Sequence, residues 1–270
     1  MGAELATVDV AQAGERVRLE YRWIASAAPD APLLVFLHEG LGSTSAWRDF
    51  PDRLCAAARV RGLVYSRAGY GRSTARPPER RWRPDFMHVQ AREALPSLLE
   101  ALAVDARTTP PWLFGHSDGG SIALIHAATF PERVAGLIVV APHVLVEDLS
   151  VQSIERARDV YRTTDLRERL GRHHADVESA FWGWNDIWLD PAFRHWNIEG
   201  LLPAIRCPVL AVQGYDDEYG TMAQIDRIAA AVPQAELLKL AACGHSPHRD
   251  QPQALIEASA RFIASQRAQA

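Results

Sequence analysis

Lysine is almost missing from this 270-residue chain: Lys239 stands alone, and arginine supplies the rest of the 29 basic residues. Set against 33 acidic residues, they leave a formal net charge of −4, without the basic excess expected of a nucleic-acid-binding surface. The shortage of lysine reads as genome composition and carries no functional conclusion. Cysteine is scarce as well. Cys55, Cys207 and Cys243 are far apart and odd in number, which fits neither a disulfide framework nor a zinc cluster and points to a reducing compartment. No apolar run approaches the roughly 20 residues needed to span a bilayer. The stretch from Met1 to Glu20 lacks the basic start and continuous apolar run of a secretory signal, and Ala6 stands where a lipid-attachment signal beginning at Gly2 would need Ser or Thr. These absences lead us to expect a cytoplasmic protein that acts on a small molecule, with no nucleic-acid or membrane partner, no cofactor and no metal. Oligomeric state is not legible.

What is present is an ordinary globular composition, 48% hydrophobic and 23% charged, on a chain long enough to bury a large core. Short apolar runs recur at Leu33–Leu37, Leu63–Ser66, Trp112–Phe114, Leu137–Val140 and Val209–Val212, with a last candidate at Glu236–Leu240. Runs this short, apolar throughout, suit strands covered on both faces of a parallel sheet. Val17–Trp23 alternates instead, as a half-buried strand in a hairpin does. Helical spacing fills the intervals at Ala46–Arg59, Phe86–Val104, Gly120–Phe130, Met222–Val232 and Ala254–Ile263, with Pro96 expected to bend the second. Strands alternating with helices predict an α/β fold, a mostly parallel central sheet flanked by helices. From His143 to Arg206 the rhythm breaks into charged helical stretches and a segment holding Trp182, Trp184, Trp188 and Trp196. The organisation expected is a core of residues 1–142 and 206–270 with a helical insertion at 143–205.

The strongest chemical signal is Gly115-His116-Ser117-Asp118-Gly119, which follows one apolar run and opens a helix. A nucleophile on a sharp strand–turn–helix bend needs small residues on both sides. The same pattern could belong to a plain glycine-rich turn with a helix-capping serine. A serine attacks only if a base takes its proton. His245, just beyond the Glu236–Leu240 run, is the candidate base, with His116, His143 and His248 as weaker alternatives. His88, His126, His173, His174 and His195 fall in helical patterns. Asp216, Asp217 and Glu218, after the Val209–Val212 run, offer carboxylates to orient the base, and those not used for that are expected to cap the next helix or face solvent. Backbone N–H groups at Asp118 and in the loop His38–Ser43 are candidate oxyanion donors.

Taken in order, HEGLGS, SRAGYGRS, GHSDGG, QGYDDEYG and CGHSPHRDQP make the chain resemble the α/β-hydrolase-fold serine hydrolases from about Val17 to Phe262. The resemblance implies Ser117 as nucleophile, His245 as base, and an acid three residues after Gly214, which is Asp217, with Asp216 as fallback. It also implies Gly40 as second oxyanion donor, with Leu41 as fallback, and a helical cap at 143–205. Glu39 departs from the glycine usual there and is expected to form an ion pair with Arg67 or Arg72, or else to touch substrate. Ser66-Arg67-Ala68 departs from the family's Asp-x-Arg. The implied activity is hydrolysis of a small carboxylic ester or lactone through an acyl-enzyme. Two alternatives share these residues: C–C bond hydrolysis of a vinylogous diketone, and non-catalytic ligand reception. At least one of Trp182, Trp184 and Trp188 is expected to line the pocket.

Overall fold

The computed structural model describes residues 5–26 and 30–268, so Gly2 and the lipid-attachment reading lie outside it. Its eight strands are β1 (Ala6–Gln12), β2 (Glu15–Ile24), β3 (Leu33–Leu37), β4 (Arg61–Tyr65), β5 (Trp112–His116), β6 (Gly136–Val140), β7 (Val209–Gly214) and β8 (Ala235–Leu240). They form one sheet in the order β1-β2-β4-β3-β5-β6-β7-β8. The β1–β2 hairpin is antiparallel, β2 joins β4 antiparallel, and every later pairing is parallel. The connection from β4 to β5 passes over β3, so the strand order reverses between β3 and β5. The crevice at the carboxyl ends of such a pair is where open α/β sheets bind ligands.

The uniform apolar runs have a direct cause. Along β3, Leu33, Val35 and Leu37 face one core while Leu34 and Phe36 face the other. The second core is closed by α1 (Phe50–Ala58) and α10 (Pro252–Arg267), whose Phe50, Leu54, Leu255 and Phe262 meet Phe36, Phe114 and Trp112. The first core is closed by α2 (Phe86–Val89), α3 (Leu95–Ala101), α4 (Asp118–Thr129) and α8 (Ala223–Ala231). A π-helical stretch, Gln90–Ala94, joins α2 to α3. The irregularity expected at Pro96 falls in the turn before it, where the continuous helical run from Phe86 to Ala101 is π-wound.

Between β6 and β7 the chain forms α5 (Asp148–Thr163), α6 (Leu166–Gly171) and α7 (Val177–Trp188), then two short 3₁₀ turns. One isolated bridge, Leu145 to Asn197, ties the entry of this insertion to its exit. Only α9 (Pro247–Asp250) then separates the β8 loop from α10. No helix among the described residues is long and apolar enough to cross a membrane.

Candidate active site

Three loops at the carboxyl edge of the sheet converge. After β5 the chain reverses at Ser117, whose φ of 52° and ψ of −120° lie in a region that non-glycine residues seldom occupy. Two flanking glycines are required by space. A Cβ on Gly115 would stand 2.3 Å from the Gly119 carbonyl oxygen, and one on Gly119 would stand 2.1 Å from that of Leu37. Ser117 makes no side-chain capping bond to α4, which removes the helix-cap explanation for this serine. Its Oγ instead lies 3.0 Å from His245 Nε2.

His245 is presented by the loop after β8. Its Nδ1 donates to Asp217, 2.9 Å from Oδ1 and 3.0 Å from Oδ2. A carboxylate can only accept, so the proton belongs on Nδ1 and the Nε2 lone pair faces the serine hydroxyl. Asp217 is itself held by the Tyr219 and Gly220 amides at 2.8 and 3.2 Å and by Gln213 Nε2 at 2.7 Å. Gly214 permits this arrangement, since a Cβ there would strike the Cys243 carbonyl of the histidine loop at 2.1 Å.

Electrostatics follow from the pairing. Burial works to raise the Asp217 carboxyl, but the His245 ring and the hydrogen bonds it accepts hold it below the usual carboxylate range. Burial works to lower the His245 imidazole. The Asp217 charge and hydrogen bond, then Glu218 and Glu39, overcome it and lift the ring above the ordinary histidine value.

Asp216 and Glu218, the other two carboxylates of the loop, are exposed and do not cap α8, which begins without a side-chain cap. Glu218 Oε2 accepts the His245 amide at 3.2 Å. The alternatives to His245 lie around it: His116, His143 and His248 are buried, but none bonds Ser117. His116 Nε2 is committed to the His245 carbonyl at 2.7 Å. Among the described residues, the amides of Gly40, Leu41 and Asp118 donate to no other protein group, so each of these N–H groups is free for a ligand.

Glu39 does not meet the partners expected of it. Its carboxylate faces His116 Nδ1 at 3.5 Å and Arg249 at 3.6 Å, and Arg67 binds only its carbonyl. Arg67 is fully buried and reaches Asp118 at 3.6 Å, while Trp188 Nε1 donates to the other Asp118 oxygen at 3.2 Å. Burial raises the Asp118 carboxyl despite those partners. Gln213 and Tyr219 hold Asp217 from within its own QGYDDEYG stretch but carry no signal of their own, whereas the pairings of Arg249 with Glu39 and of Arg67 and Trp188 with Asp118 join residues distant in sequence.

The resulting cavity, about 240 Å³, opens over Ser117 and His245 between Trp184, Trp188, Tyr219 and Ile154. Two of the three candidate tryptophans line it. Trp182 does not: its Nε1 bonds Glu178 and its ring lies under Arg162. Gly40 is needed for the approach of α7, since a Cβ there would fall 2.2 Å from Trp184 Cδ1.

Known proteins share this architecture. The chain is 31% identical over 167 residues to the human protein "Serine hydrolase BPHL", a match covering 57% of this chain and 53% of that protein. It spans about half the length of the first curated relatives it matches, 53% and 42% for the human proteins BPHL and monoglyceride lipase. A full-length match is 2-succinyl-6-hydroxy-2,4-cyclohexadiene-1-carboxylate synthase of Klebsiella pneumoniae, 25% identical over 90% of this chain and 98% of that one. Among solved structures, the enol-lactonase from Burkholderia xenovorans superposes with a TM-score of 0.73 over 95% of this chain and 99% of that one. At 20% identity that likeness shows the fold alone. The model described as "Alpha/beta hydrolase family" matches residues 34–258, and with the sheet order and strand–turn–helix bend above, the chain belongs to that family.

Proposed function

We propose that the protein is a serine hydrolase that cleaves a small carboxylic ester or lactone. The observation that carries this reading is the unbroken relay from Asp217 through His245 to Ser117 Oγ, 2.9 and 3.0 Å long, at the floor of a small aromatic-walled cavity. Ser117 Oγ attacks the carbonyl carbon as its proton passes to His245 Nε2. The oxyanion rests on the Gly40 and Asp118 amides, with Leu41 as the neighbouring donor. The imidazolium, stabilised by Asp217, then protonates the leaving oxygen, and water repeats the cycle on the acyl-enzyme. Helices α5 to α7 act as the cap, with residues 143–205 over a core of 1–142 and 206–270. Three unpaired buried cysteines agree with a cytoplasmic location.

An ester is favoured over a vinylogous diketone by charge. Among the described residues the one arginine lining the cavity, Arg249, already faces Glu39, which leaves no free arginine there for a substrate carboxylate. The test is p-nitrophenol release from short-chain esters, together with labelling by an organophosphonate. Ser117→Ala should lose about 10³-fold or more in turnover and all labelling while keeping its fold. Wild-type rates in that variant, or a label on another residue, would overturn the mechanism. Turnover of diketones but not of esters or lactones would select the C–C reading.

A further inference from the structure

A second cavity, about 390 Å³, lies between the turn of the β1–β2 hairpin and the segment 67–90, and it shares no lining residue with the cavity over Ser117. Its apolar wall includes Val17, Ala68, Trp82 and Phe86. Its charged groups are mostly neutralised: Arg67 by Asp118, Arg80 by Glu15, Arg16 by Asp9 and Arg83 by Asp85. Two arginines of the wall have no such partner among the described residues: Arg81, which is exposed, and Arg76. Arg76 is 7% exposed, yet no carboxylate lies within 4.0 Å of it among the described residues.

The Arg76 bonds are all to neutral groups. Nη1 donates to the carbonyls of Pro77, Pro78 and Arg80, and Nε has no partner. Nη2 also has no protein partner, but unlike Nε it is not sealed off. A buried guanidinium without a counter-ion is costly, and carbonyl dipoles do not cancel its charge. Arg76 Nη2 thus faces the cavity without a counter-charge, and Trp82 and Phe86 offer apolar surface in the same wall.

We propose that this cavity binds a small monocarboxylate with an apolar body, its carboxylate paired with Arg76 and its body against Trp82 and Phe86. One free buried guanidinium matches one negative charge, which favours a carboxylate over a phosphate dianion. The site borders the insertion: a Cβ on Gly183 of α7 would meet Trp82 Nε1 at 2.9 Å and Arg76 Nε at 3.2 Å. Its ligand would therefore lie beneath the helix that carries Trp184 and Trp188.

Calorimetric titration of the full chain with phenylacetate, and with neutral 2-phenylacetamide, tests this. Phenylacetate should bind in the range of about 0.1–1 mM, and the amide at least about tenfold more weakly, because the charge-assisted bond is lost. Arg76→Gln should weaken phenylacetate by about tenfold or more. Ala75→Trp, at an exposed position on the rim, fills the cavity and should abolish binding; it decides the matter if Arg76→Gln does not fold. The proposal is overturned if neither phenylacetate nor octanoate binds by about 10 mM. Equal affinity for acid and amide would overturn it as well, as would binding undiminished in Ala75→Trp.

Discussion

Replacing Asp217 by Asn removes a charge but almost no volume, and the structure says where the damage falls. The carboxylate accepts from four donors: His245 Nδ1, Gln213 Nε2 and the Tyr219 and Gly220 amides. An amide has one acceptor atom. If Asn keeps its oxygen toward the two backbone amides, its NH₂ opposes the Gln213 NH₂, which stands 2.7 Å from that position. Turning Gln213 over would relieve this only by setting its oxygen against the Gly220 carbonyl, which its Nε2 now bonds at 2.9 Å. If Asn takes the other orientation, its NH₂ opposes both backbone amides. In either case an NH₂ lies beside His245 Nδ1 and favours the tautomer with the proton on Nε2, where it blocks uptake from Ser117. The expected loss in kcat is roughly 10²–10⁴-fold, or about 3–5 kcal/mol of transition-state stabilisation. The assay is short-chain ester turnover across pH. A base must be neutral to act, so activity rises as pH passes the His245 value, which Asp217 lifts above 6.5. Without Asp217 the residual activity should have its acid limb at lower pH. Stability has an acid limb of its own, at lower pH: Asp217 sits below its ordinary 3.8, so its contribution is present above that pH and is lost as pH falls through the folded value. Asp216→Asn is the control. Asp216 is exposed and its side chain makes no hydrogen bond or ion pair among the described residues, so the variant should match wild type within about 0.5 kcal/mol. Normal turnover in Asp217→Asn, or an unmoved acid limb, refutes this reasoning.

Gly40→Ala should drive Trp184 out of place, because the added carbon falls 2.2 Å from its ring; we expect about 1–3 kcal/mol of destabilisation in chemical denaturation and an altered KM. Arg67→Leu strands the buried Asp118 carboxylate and should cost about 3–5 kcal/mol, measured by urea unfolding, while Arg67→Leu combined with Asp118→Asn should recover part of that loss. Glu39→Gln removes the charge facing His116 and Arg249, and should improve turnover of esters with an anionic acyl group relative to neutral ones; unchanged preference would mean that Glu39 does not face substrate.

The central strands were legible because β3, β5, β6 and β7 are buried on both faces and therefore apolar throughout. The edge was harder to read. β1, ATVDVAQ, buries only part of one face, so it has no continuous run, and only its partner β2 stood out as half of a hairpin. Helix ends shifted for local reasons: Ala46–Asp49 keep the helical spacing of α1 but form turns, and α4 begins at Asp118 because the reversal at Ser117 ends there. Ser117 and His245 were legible as candidates because each follows a strand in a short motif, whereas only the family resemblance set Asp217 apart from Asp216 and Glu218. The partners of Glu39 were not legible, since His116 and Arg249 lie on other loops and meet it only once the sheet edge is assembled.

The choice of base among clustered imidazoles shows what assembly adds to sequence. The rings of His116 and His143 lie 5.1 and 6.0 Å from that of His245, and His248 lies 4.8 Å from His116. All lie at one edge of the sheet, and proximity alone does not distinguish them. A hydrogen bond to a carboxylate does: His116 Nδ1 faces Glu39 at 3.5 Å without forming one. His143 has burial and the His245 charge against it, Asp217 is too weak a counterweight, and its ring is pushed down to about 3. Burial and the neighbouring His116 hold His248 well below the ordinary value, and both its ring nitrogens lack partners. His245 alone bonds a carboxylate directly, and its shift runs upward. A proton taken from Ser117 is therefore stabilised on His245 and would be unstable on His143 or His248. Those two remain neutral, so they add no positive charge that would lower the base beside them. On the proposed mechanism the acid after β7 selects which imidazole serves, by the same bond that aims Nε2 at the serine.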